Sequence, residues 1–348
     1  MGNIRDYIKE QGSYTLEDKP FNDVDNLIMS YLVYYDLTGI VPEGQDSIGI
    51  REAAYIYNKQ SGTSQKNVVP EFLGEVARSR RFGDIRLSDF RYRLEDNERT
   101  IQFTALNIEL KENLHYVAFR GIAQEHVGWY EAFKMSYRVI PAQIFSRVYL
   151  ERILAREENE NAVYIVGGHS KGGAQAVYAA AACDPKLKKY ISRVYSNDGP
   201  AVREEYLSDT ERKWLTGHLT KIVPECAVIG MIFEKNNPDM IVKSSAVGIS
   251  QHEPMSWQAD KGRFIRAESL NGEGVKVYRA INKWNDSLKD KEKIAFINEV
   301  FGFLRRKPEE EKLNVGKLLL GLGPKGRKAT RHLLAAAVSC RINLKPLI

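Results

Sequence analysis

The segment Gly168–Gly172 contains the residues whose types and spacing best fit a chemical role. It reads Gly-His-Ser-Lys-Gly and matches the pattern G-x-S-x-G. The apolar stretch Ala162–Gly167 before it predicts a strand, and the alanine-rich stretch Gly173–Cys183 after it predicts a helix. On a sharp strand-to-helix turn, Ser170 would present its hydroxyl above a sheet as a nucleophile. An idle serine on a glycine-rich turn is the alternative.

Two other interpretations of this segment are disfavoured. A phosphate-binding loop needs Gly-Lys-Ser or Gly-Lys-Thr, whereas this chain has the order Ser170-Lys171-Gly172. A Ser–Lys dyad is disfavoured because neighbouring side chains on a tight turn point in different directions. For the same reason we interpret His169 as a hydrogen-bonded structural histidine rather than as the base.

A general base is expected among the histidines that follow the serine, since in this kind of turn the acid and then the histidine come later in the chain. Those histidines are His218, His252 and His332. His252 lies in a polar loop after the strand-like stretch Met240–Ala246, where a loop beyond the sheet could reach the serine. His218 ends a predicted helix and His332 lies in a basic tail. We therefore predict His252 as the base, with an ordinary surface histidine as the alternative.

The acid is less determined by the sequence. Asp198 follows the strand after the serine helix and is the first candidate, because a carboxylate there could orient the imidazole. The segment Asn197–Pro200 is also an ordinary turn sequence. Glu225 is the second candidate, and Asp239 and Glu253 are more distant ones.

An oxyanion hole needs two donors, for which backbone N–H groups serve well. We predict the N–H of Lys171, directly after the nucleophile, as one donor. The second donor is expected from the loop after an earlier strand, and the N–H of Ile122 fulfils that condition. No metal or organic cofactor is expected for this chemistry.

Strands and helices alternate through the middle of the chain, which is typical of a parallel sheet covered on both faces. We predict an α/β-hydrolase fold, with a mostly parallel sheet flanked by helices, in residues 1–275. A helical extension with a basic tail is predicted for residues 276–348, with a break at 321–328. The predicted strands are Asp84–Tyr92, Thr100–Ile108, His115–Phe119, Ala162–Gly167, Ile191–Ser196, Leu219–Val223 and Met240–Ala246; the predicted helices are Phe21–Leu37, Val69–Ala77, Ala142–Glu158, Gly173–Cys183, Glu204–Leu215, Val277–Trp284 and Ile294–Leu304.

Composition and charge bear on whether the protein spans a membrane or binds nucleic acid. With 43% hydrophobic residues, the 348-residue chain can fill a large core, and it lacks an apolar run long enough to cross a membrane. The net charge is +6, and the segment from Arg305 to the end holds 11 basic and 3 acidic residues. We interpret this tail as a solvated end and expect no nucleic-acid partner, although the tail could contact an anionic membrane surface. Without a signal segment or a cysteine pattern, a cytoplasmic location is expected, and the oligomeric state is not predicted.

Several short motifs together resemble the Mbeg-like family of bacterial α/β-hydrolase-fold proteins, which have no assigned function and are related to the class-three lipases. The resemblance covers roughly residues 1–270. It implies a lipase-like fold with Ser170 as nucleophile and His252 as base. The motifs are Phe21–Ile28, Tyr116–Gly121, Gly128-Trp129, Gly168–Gly173, Asn197–Pro200, Ile229–Met231 and Gln251–Pro254 with Trp257.

The chain departs from the family pattern in two places. Where the family usually has Arg-Gly-Thr-Asp, this chain has Arg120-Gly121-Ile122-Ala123, and Ala132 replaces an aspartate in the motif Trp129–Phe133. Loss of an oxyanion donor costs a few kcal/mol of transition-state stabilisation, about 3 in a typical case. The sequence therefore predicts a serine esterase or lipase acting on a small-molecule or lipid ester. A catalytically weakened binding or regulatory protein is the alternative.

Overall fold

The central feature of the fold is an eight-stranded sheet with strands in the order β1 to β8, seen in a computed structural model that describes residues 2–60, 68–96, 100–122, 126–156 and 161–304. Neighbours from β1 to β4 are antiparallel, and those from β4 to β8 are parallel. The strands are β1 Ser47–Gly49, β2 Arg86–Glu95, β3 Ile101–Lys111, β4 Leu114–Phe119, β5 Val163–His169, β6 Ile191–Asn197, β7 Leu219–Pro224 and β8 Met240–Val242, with β9 Ala259–Asp260 and β10 Arg263–Phe264 in a separate hairpin.

Helices cover both faces of this sheet. Along β4, Tyr116 and Ala118 face the core that contains α2, whereas Val117 and Phe119 face the core that contains α6 and α7. This alternation is the period of two that a strand buried on both faces requires. The helices are α1 Ile4–Gln11, α2 Asp23–Leu32, α3 Ile50–Gln60, α4 Pro70–Arg78, α5 His126–Lys134, α6 Pro141–Leu154, α7 Lys171–Ala182, α8 Asp209–His218, α9 Gly272–Ser287 and α10 Asp290–Leu304.

The fold class predicted from the sequence is confirmed. The predicted strands all exist, although β8 ends at Val242 rather than at Ala246. Six of the described helices and strands had no predicted counterpart, namely α1, β1, α3, α5, β9 and β10. The helix after the serine begins at Lys171 instead of Gly173. The two glycines that disfavour helix in isolation are held there by packing.

The C-terminal part is helical as far as the structure describes it. Helices α9 and α10 continue to Leu304, and Tyr130 of α5 donates a hydrogen bond to Asn298 of α10 at 2.7 Å. The division at residue 275 stays a prediction. The basic tail and its predicted break at 321–328 lie outside the described residues. In the described part of the chain, no helix has both the length and the apolar character needed to cross a bilayer.

Three backbone segments approach one another closely below the turn at Ser170. A Cβ atom on Gly168 would overlap the carbonyl group of Gly172, and a Cβ atom on Gly172 would overlap the carbonyl oxygen of Phe119 at the end of β4. These neighbours are backbone atoms, which cannot rotate away as a side chain can. Glycine at both positions is therefore what allows α7 to begin directly against β4 and β5.

The substitution Gly172→Ala is expected to lower the free energy of unfolding by about 3 kcal/mol, because the added methyl group must displace the backbone of β4. Urea unfolding followed by circular dichroism measures this. Gly217→Ala in α8 is the matched control, since a Cβ there would meet no described atom within 4 Å. The control should gain about 0.5–1 kcal/mol. Equal stability of Gly172→Ala and wild type would contradict the close approach.

Candidate active site

Ser170 lies at the junction of β5 and α7 in a strained backbone conformation, with φ of 59° and ψ of −133°. A non-glycine residue in this region costs about 1–3 kcal/mol and persists only where its surroundings impose it. The surroundings of Ser170 impose this conformation through two hydrogen bonds. The Ser170 N–H donates to the carbonyl of Asn197 at 2.9 Å, and the Ser170 carbonyl accepts from the N–H of Gly173 at 2.9 Å. This is the geometry of a nucleophile turn.

A histidine and a carboxylate meet beside this turn. The Nδ1 atom of His252 lies 2.6 Å from Oδ2 of Asp198, whose side chain is only 1% exposed. The other carboxylate oxygen, Oδ1, accepts from the N–H of Gly230 at 3.0 Å. Since the carboxylate accepts at Nδ1, the neutral ring carries its proton there and leaves Nε2 as a lone-pair base. The imidazole of His252 lies 4.5 Å, between ring centroids, from His169, the residue next to Ser170.

The other candidates from the sequence lie elsewhere. Glu225 is at the end of β7, where its backbone bonds to Val242 and Asn271. Asp239 accepts from the backbone N–H of Lys221, and Glu253 follows His252 without bonding to its ring. His218 donates from Nδ1 to the carbonyl of Trp214 and stacks on that indole. His332 lies outside the described residues.

The two residues predicted to supply oxyanion donors lie on segments next to the serine. Lys171 directly follows Ser170 and is the first residue of α7. Ile122 follows Gly121, and a Cβ atom on Gly121 would lie 2.9 Å from the Cβ of Ser170. The loop after β4 therefore runs directly past Ser170. The Ile122 side chain packs towards Gly128 of α5 and supplies no hydroxyl.

The residue before the serine connects it to the loop that carries His252. The Nε2 atom of His169 lies 2.8 Å from the carbonyl oxygen of His252, and its Nδ1 lies 2.9 Å from the hydroxyl of Tyr34. Because a carbonyl can only accept, Nε2 carries the proton and the tyrosine donates to Nδ1. Burial, with a contribution from His252, lowers the pKa of His169 well below its ordinary value of 6.5. His169 is thus a neutral structural link, as the sequence predicted.

The residue after the serine is held by a fully buried ion pair. Lys171 Nζ lies 2.8 Å from Oε2 of Glu131 in α5, and both side chains are at most 1% exposed. The same ammonium group donates to the carbonyl of Gln102 in β3 at 2.8 Å. The Glu131 carboxylate also accepts from the N–H groups of Gln102 and Ala142. Breaking such a pair by removing one partner typically costs about 3–5 kcal/mol, because a charge remains buried. Lys171 is therefore fixed away from the Ser170 hydroxyl.

Sequence analysis missed several of these residues. Tyr34 lies beyond the end of α2, and nothing in its spacing indicated a bond to His169. Glu131 was part of a short motif but had no assigned role; a single carboxylate in an otherwise apolar helix segment was the available signal. Gly230 belonged to the family motif Ile229–Met231, and its N–H contact with Asp198 gives that motif a physical reason.

No metal site accompanies these groups in the described residues, where no cluster of three or more His, Cys, Asp or Glu side chains could hold an ion.

The mixed sheet, its flanking helices and the strand–serine–helix turn place the chain in the α/β-hydrolase class of folds. The Mbeg1-like family model matches residues 76–302, which is more than half of the chain. The chain belongs to the Mbeg1-like family, as its motifs predicted. None of the curated proteins compared with the chain matches it.

Similar solved structures include several lipases. The chain is 16% identical to M37 lipase, with 61% of this chain and 70% of that chain covered and a TM-score of 0.39. It is 15% identical to lipase II from Rhizopus niveus, covering 57% and 83% of the two chains with a TM-score of 0.34. The chain is 12% identical to the lipase in the Rhizomucor miehei lipase propeptide complex. The comparison covers 68% of this chain and 84% of that chain, with a TM-score of 0.34. These likenesses are distant, and the site is described from this chain's own residues.

The neutral state of His169 predicts a pH-dependent contribution to stability. The folded chain holds this ring unprotonated, while the unfolded chain protonates it below about pH 6.5. The contribution is therefore complete above that pH and is lost as the pH falls. Relative to His169→Gln, the free energy of unfolding of wild type should fall by about 1.4 kcal/mol per pH unit from pH 6.5 towards 5. Urea unfolding at a series of pH values measures this difference.

Tyr34→Phe is the control for this experiment, because it keeps His169 and removes only the hydroxyl that donates to Nδ1. It should lower stability by about 1 kcal/mol and keep the pH dependence of wild type. Parallel curves for wild type and His169→Gln would show that His169 is not held neutral by the fold.

Proposed function

We propose that the protein is a serine hydrolase that cleaves carboxylic esters through an acyl-enzyme intermediate. The observation that carries the proposal is the contact between His252 Nδ1 and Asp198 Oδ2 at 2.6 Å, beside the strained turn at Ser170. A structural serine would not require a φ of 59°, and a structural histidine would not require a buried carboxylate behind its ring. Together they form a nucleophile, a base and a group that orients the base.

In the acylation step, the Ser170 hydroxyl attacks the ester carbonyl while Nε2 of His252 takes its proton. Asp198 stabilises the resulting imidazolium and keeps the ring oriented. The backbone N–H groups of Lys171 and Ile122 donate to the oxyanion of the tetrahedral intermediate. The imidazolium then gives its proton to the leaving alkoxide as the C–O bond breaks.

In the deacylation step, water replaces the alcohol. Nε2 of His252 takes a proton from water as its oxygen attacks the acyl carbonyl, and the second tetrahedral intermediate occupies the same two donors. Its collapse releases the carboxylic acid and returns the proton to the Ser170 oxygen. The cycle needs no redox partner.

The surroundings of His252 favour an ester with an apolar part, either a small molecule or a lipid. Val247 and Ile249 precede it in the chain and expose 85% and 62% of their surfaces. Gly248, between them, has a φ of 59°, in the left-handed region that favours glycine. Exposed aliphatic side chains beside a site are typical of contact with an apolar ligand.

A second candidate function is a binding or regulatory protein that keeps the site with weakened turnover. The observation in its favour is Ile122, whose side chain packs towards Gly128 instead of presenting a hydroxyl to the oxyanion loop. The backbone donor remains, so we favour the hydrolase. Measurement of turnover separates the two candidates.

Ser170→Ala is expected to reduce the hydrolysis of p-nitrophenyl butyrate to the background rate, and Asp198→Asn to reduce kcat by about 10⁴-fold, because the histidine then loses its orienting acceptor. His252→Gln should resemble Ser170→Ala. Initial rates of p-nitrophenolate release measure these effects.

His218→Gln is the control, since this histidine bonds to Trp214 on α8 and takes no part in the proposed chemistry. It should retain the wild-type rate. Turnover that survives Ser170→Ala would contradict the hydrolase mechanism, and a folded wild type without any turnover would favour the second candidate.

A further inference from the structure

Two arginines are almost completely buried in the described chain, and they differ sharply in their partners. Arg81, 3% exposed, forms an ion pair with Asp25 and donates to the carbonyl groups of Thr15, Lys19 and Pro20. This is the usual way in which a buried guanidinium is stabilised.

Arg120 is 5% exposed and has no such arrangement. Its Nε and Nη2 atoms are buried and have no hydrogen-bond partner among the described residues. Its guanidinium carbon lies 5.3 Å from the centroid of the Tyr92 ring, which interacts with the charge through its face. Burial of a guanidinium with two unpartnered nitrogen atoms is costly, so a native chain that keeps this arrangement suggests a functional reason for it.

A hydroxyl oxygen near Arg120 is also buried without a hydrogen-bond partner in the described part of the chain. It is the Oγ1 atom of Thr104. Thr104 is directly opposite Tyr92 in the ladder between β2 and β3, and its carbonyl accepts from the N–H of Arg120 at 3.0 Å. Cross-strand neighbours share a face of the sheet. The guanidinium and the hydroxyl therefore lie together, next to a tyrosine that is 41% exposed.

The backbone that carries Arg120 leads into the loop that passes Ser170. Arg120 directly precedes Gly121. A Cβ atom added to Gly121 would lie 2.9 Å from the Cβ of Ser170. Burial raises the pKa of the Tyr34 hydroxyl above its ordinary value, and the charges of Glu253 and Arg120 act on this hydroxyl in opposite directions, so the guanidinium lies near it. Tyr34 in turn bonds to His169 beside the serine.

We propose that Arg120 and Thr104 bind an oxyanion carried by the substrate, a carboxylate or a phosphate, next to the ester that Ser170 attacks. This inference rests on the proposed hydrolase function and specifies its substrate class as an anionic ester. The planar fork of arginine matches the two oxygens of a carboxylate or phosphate group, and the threonine hydroxyl adds a third donor. A neutral ester would bring no anionic group to these donors and would leave them without a hydrogen-bond acceptor.

The test uses full-length Ser170→Ala protein, which binds without turning ligand over, and three octyl probes that differ only in the head group: octyl phosphate, octanoate and octanol. Isothermal titration calorimetry gives each Kd. We expect octyl phosphate or octanoate to bind more tightly than octanol, and the tighter of the two identifies the oxyanion.

Variants of the two donors, made in the same background, then locate the binding. Arg120→Met should weaken binding of the preferred anion by about 10- to 100-fold, and Arg120→Lys by less, because it keeps the charge without the fork. Thr104→Val should weaken it by about 3- to 10-fold. Arg263→Met, at an exposed position of β10, is the control and should bind like the parent.

Thermal unfolding of the unliganded variants separates binding from a structural role. Removal of an unpartnered charge or hydroxyl does not break a bond, so Arg120→Met and Thr104→Val should keep or raise the Tm of wild type. Arg81→Met, which leaves Asp25 without its partner, should lower the Tm clearly. A lowered Tm for Arg120→Met would show that an internal group satisfies the guanidinium and would overturn the inference.

The outcomes also separate this inference from the proposed function. Anion binding that depends on Arg120 in a protein without esterase turnover would support the site and contradict the hydrolase. Conversely, Ser170-dependent turnover with equal Kd values for all three probes, or with Kd values unaffected by Arg120→Met, would support the hydrolase and overturn the anionic substrate.

Discussion

The structure depends on one close approach of backbone segments, where β4, β5 and the start of α7 leave no room for a Cβ atom at Gly168 or Gly172. This approach forces the residue between them into a turn that no relaxed serine would adopt, with φ of 59°. The same approach brings the loop after β4 past Ser170. The strained turn at Ser170 and the course of the loop after β4 are therefore two consequences of one packing constraint. The packed cores on both faces of the sheet offset its energetic cost.

Polar contacts on both sides of Ser170 then fix its neighbours. His169 connects to the loop of the proposed base through the carbonyl of His252, and Lys171 connects to Glu131 in α5. The hydrogen bonds described for these two side chains go to residues other than Ser170. Arg120 differs from both, because it is buried close to the same turn with two nitrogen atoms unpartnered. A fold optimised for stability alone would give these nitrogen atoms hydrogen-bond partners within the protein. Two unpartnered nitrogen atoms are what a residue that binds a ligand would show.

The sequence predicted the parts of this arrangement that depend on local pattern. Apolar strands alternating with helices indicated the parallel half of the sheet, and the G-x-S-x-G segment between strand and helix indicated the turn at Ser170. The acid could not be fixed, because Asp198 and Glu225 end neighbouring strands and only the path of the loop to His252 distinguishes them. The partners of His169 and Lys171 lie far away in the chain, 135 positions for Tyr34 and 40 for Glu131. Contacts of this range leave no periodic signal. The short elements α1, β1, α3 and α5 were missed for a related reason, since short helices and strands depend on tertiary contacts that the sequence pattern does not reveal.

The central claim is that the fold activates the Ser170 hydroxyl through His252. The most direct measurement is labelling of the native protein with a fluorophosphonate, followed by peptide mass mapping and by the rate of labelling in His252→Gln. We expect one adduct, on the peptide that contains Ser170, formed at least about 100-fold more slowly when the base is removed. An adduct on another residue, or an unchanged rate in His252→Gln, would contradict the account.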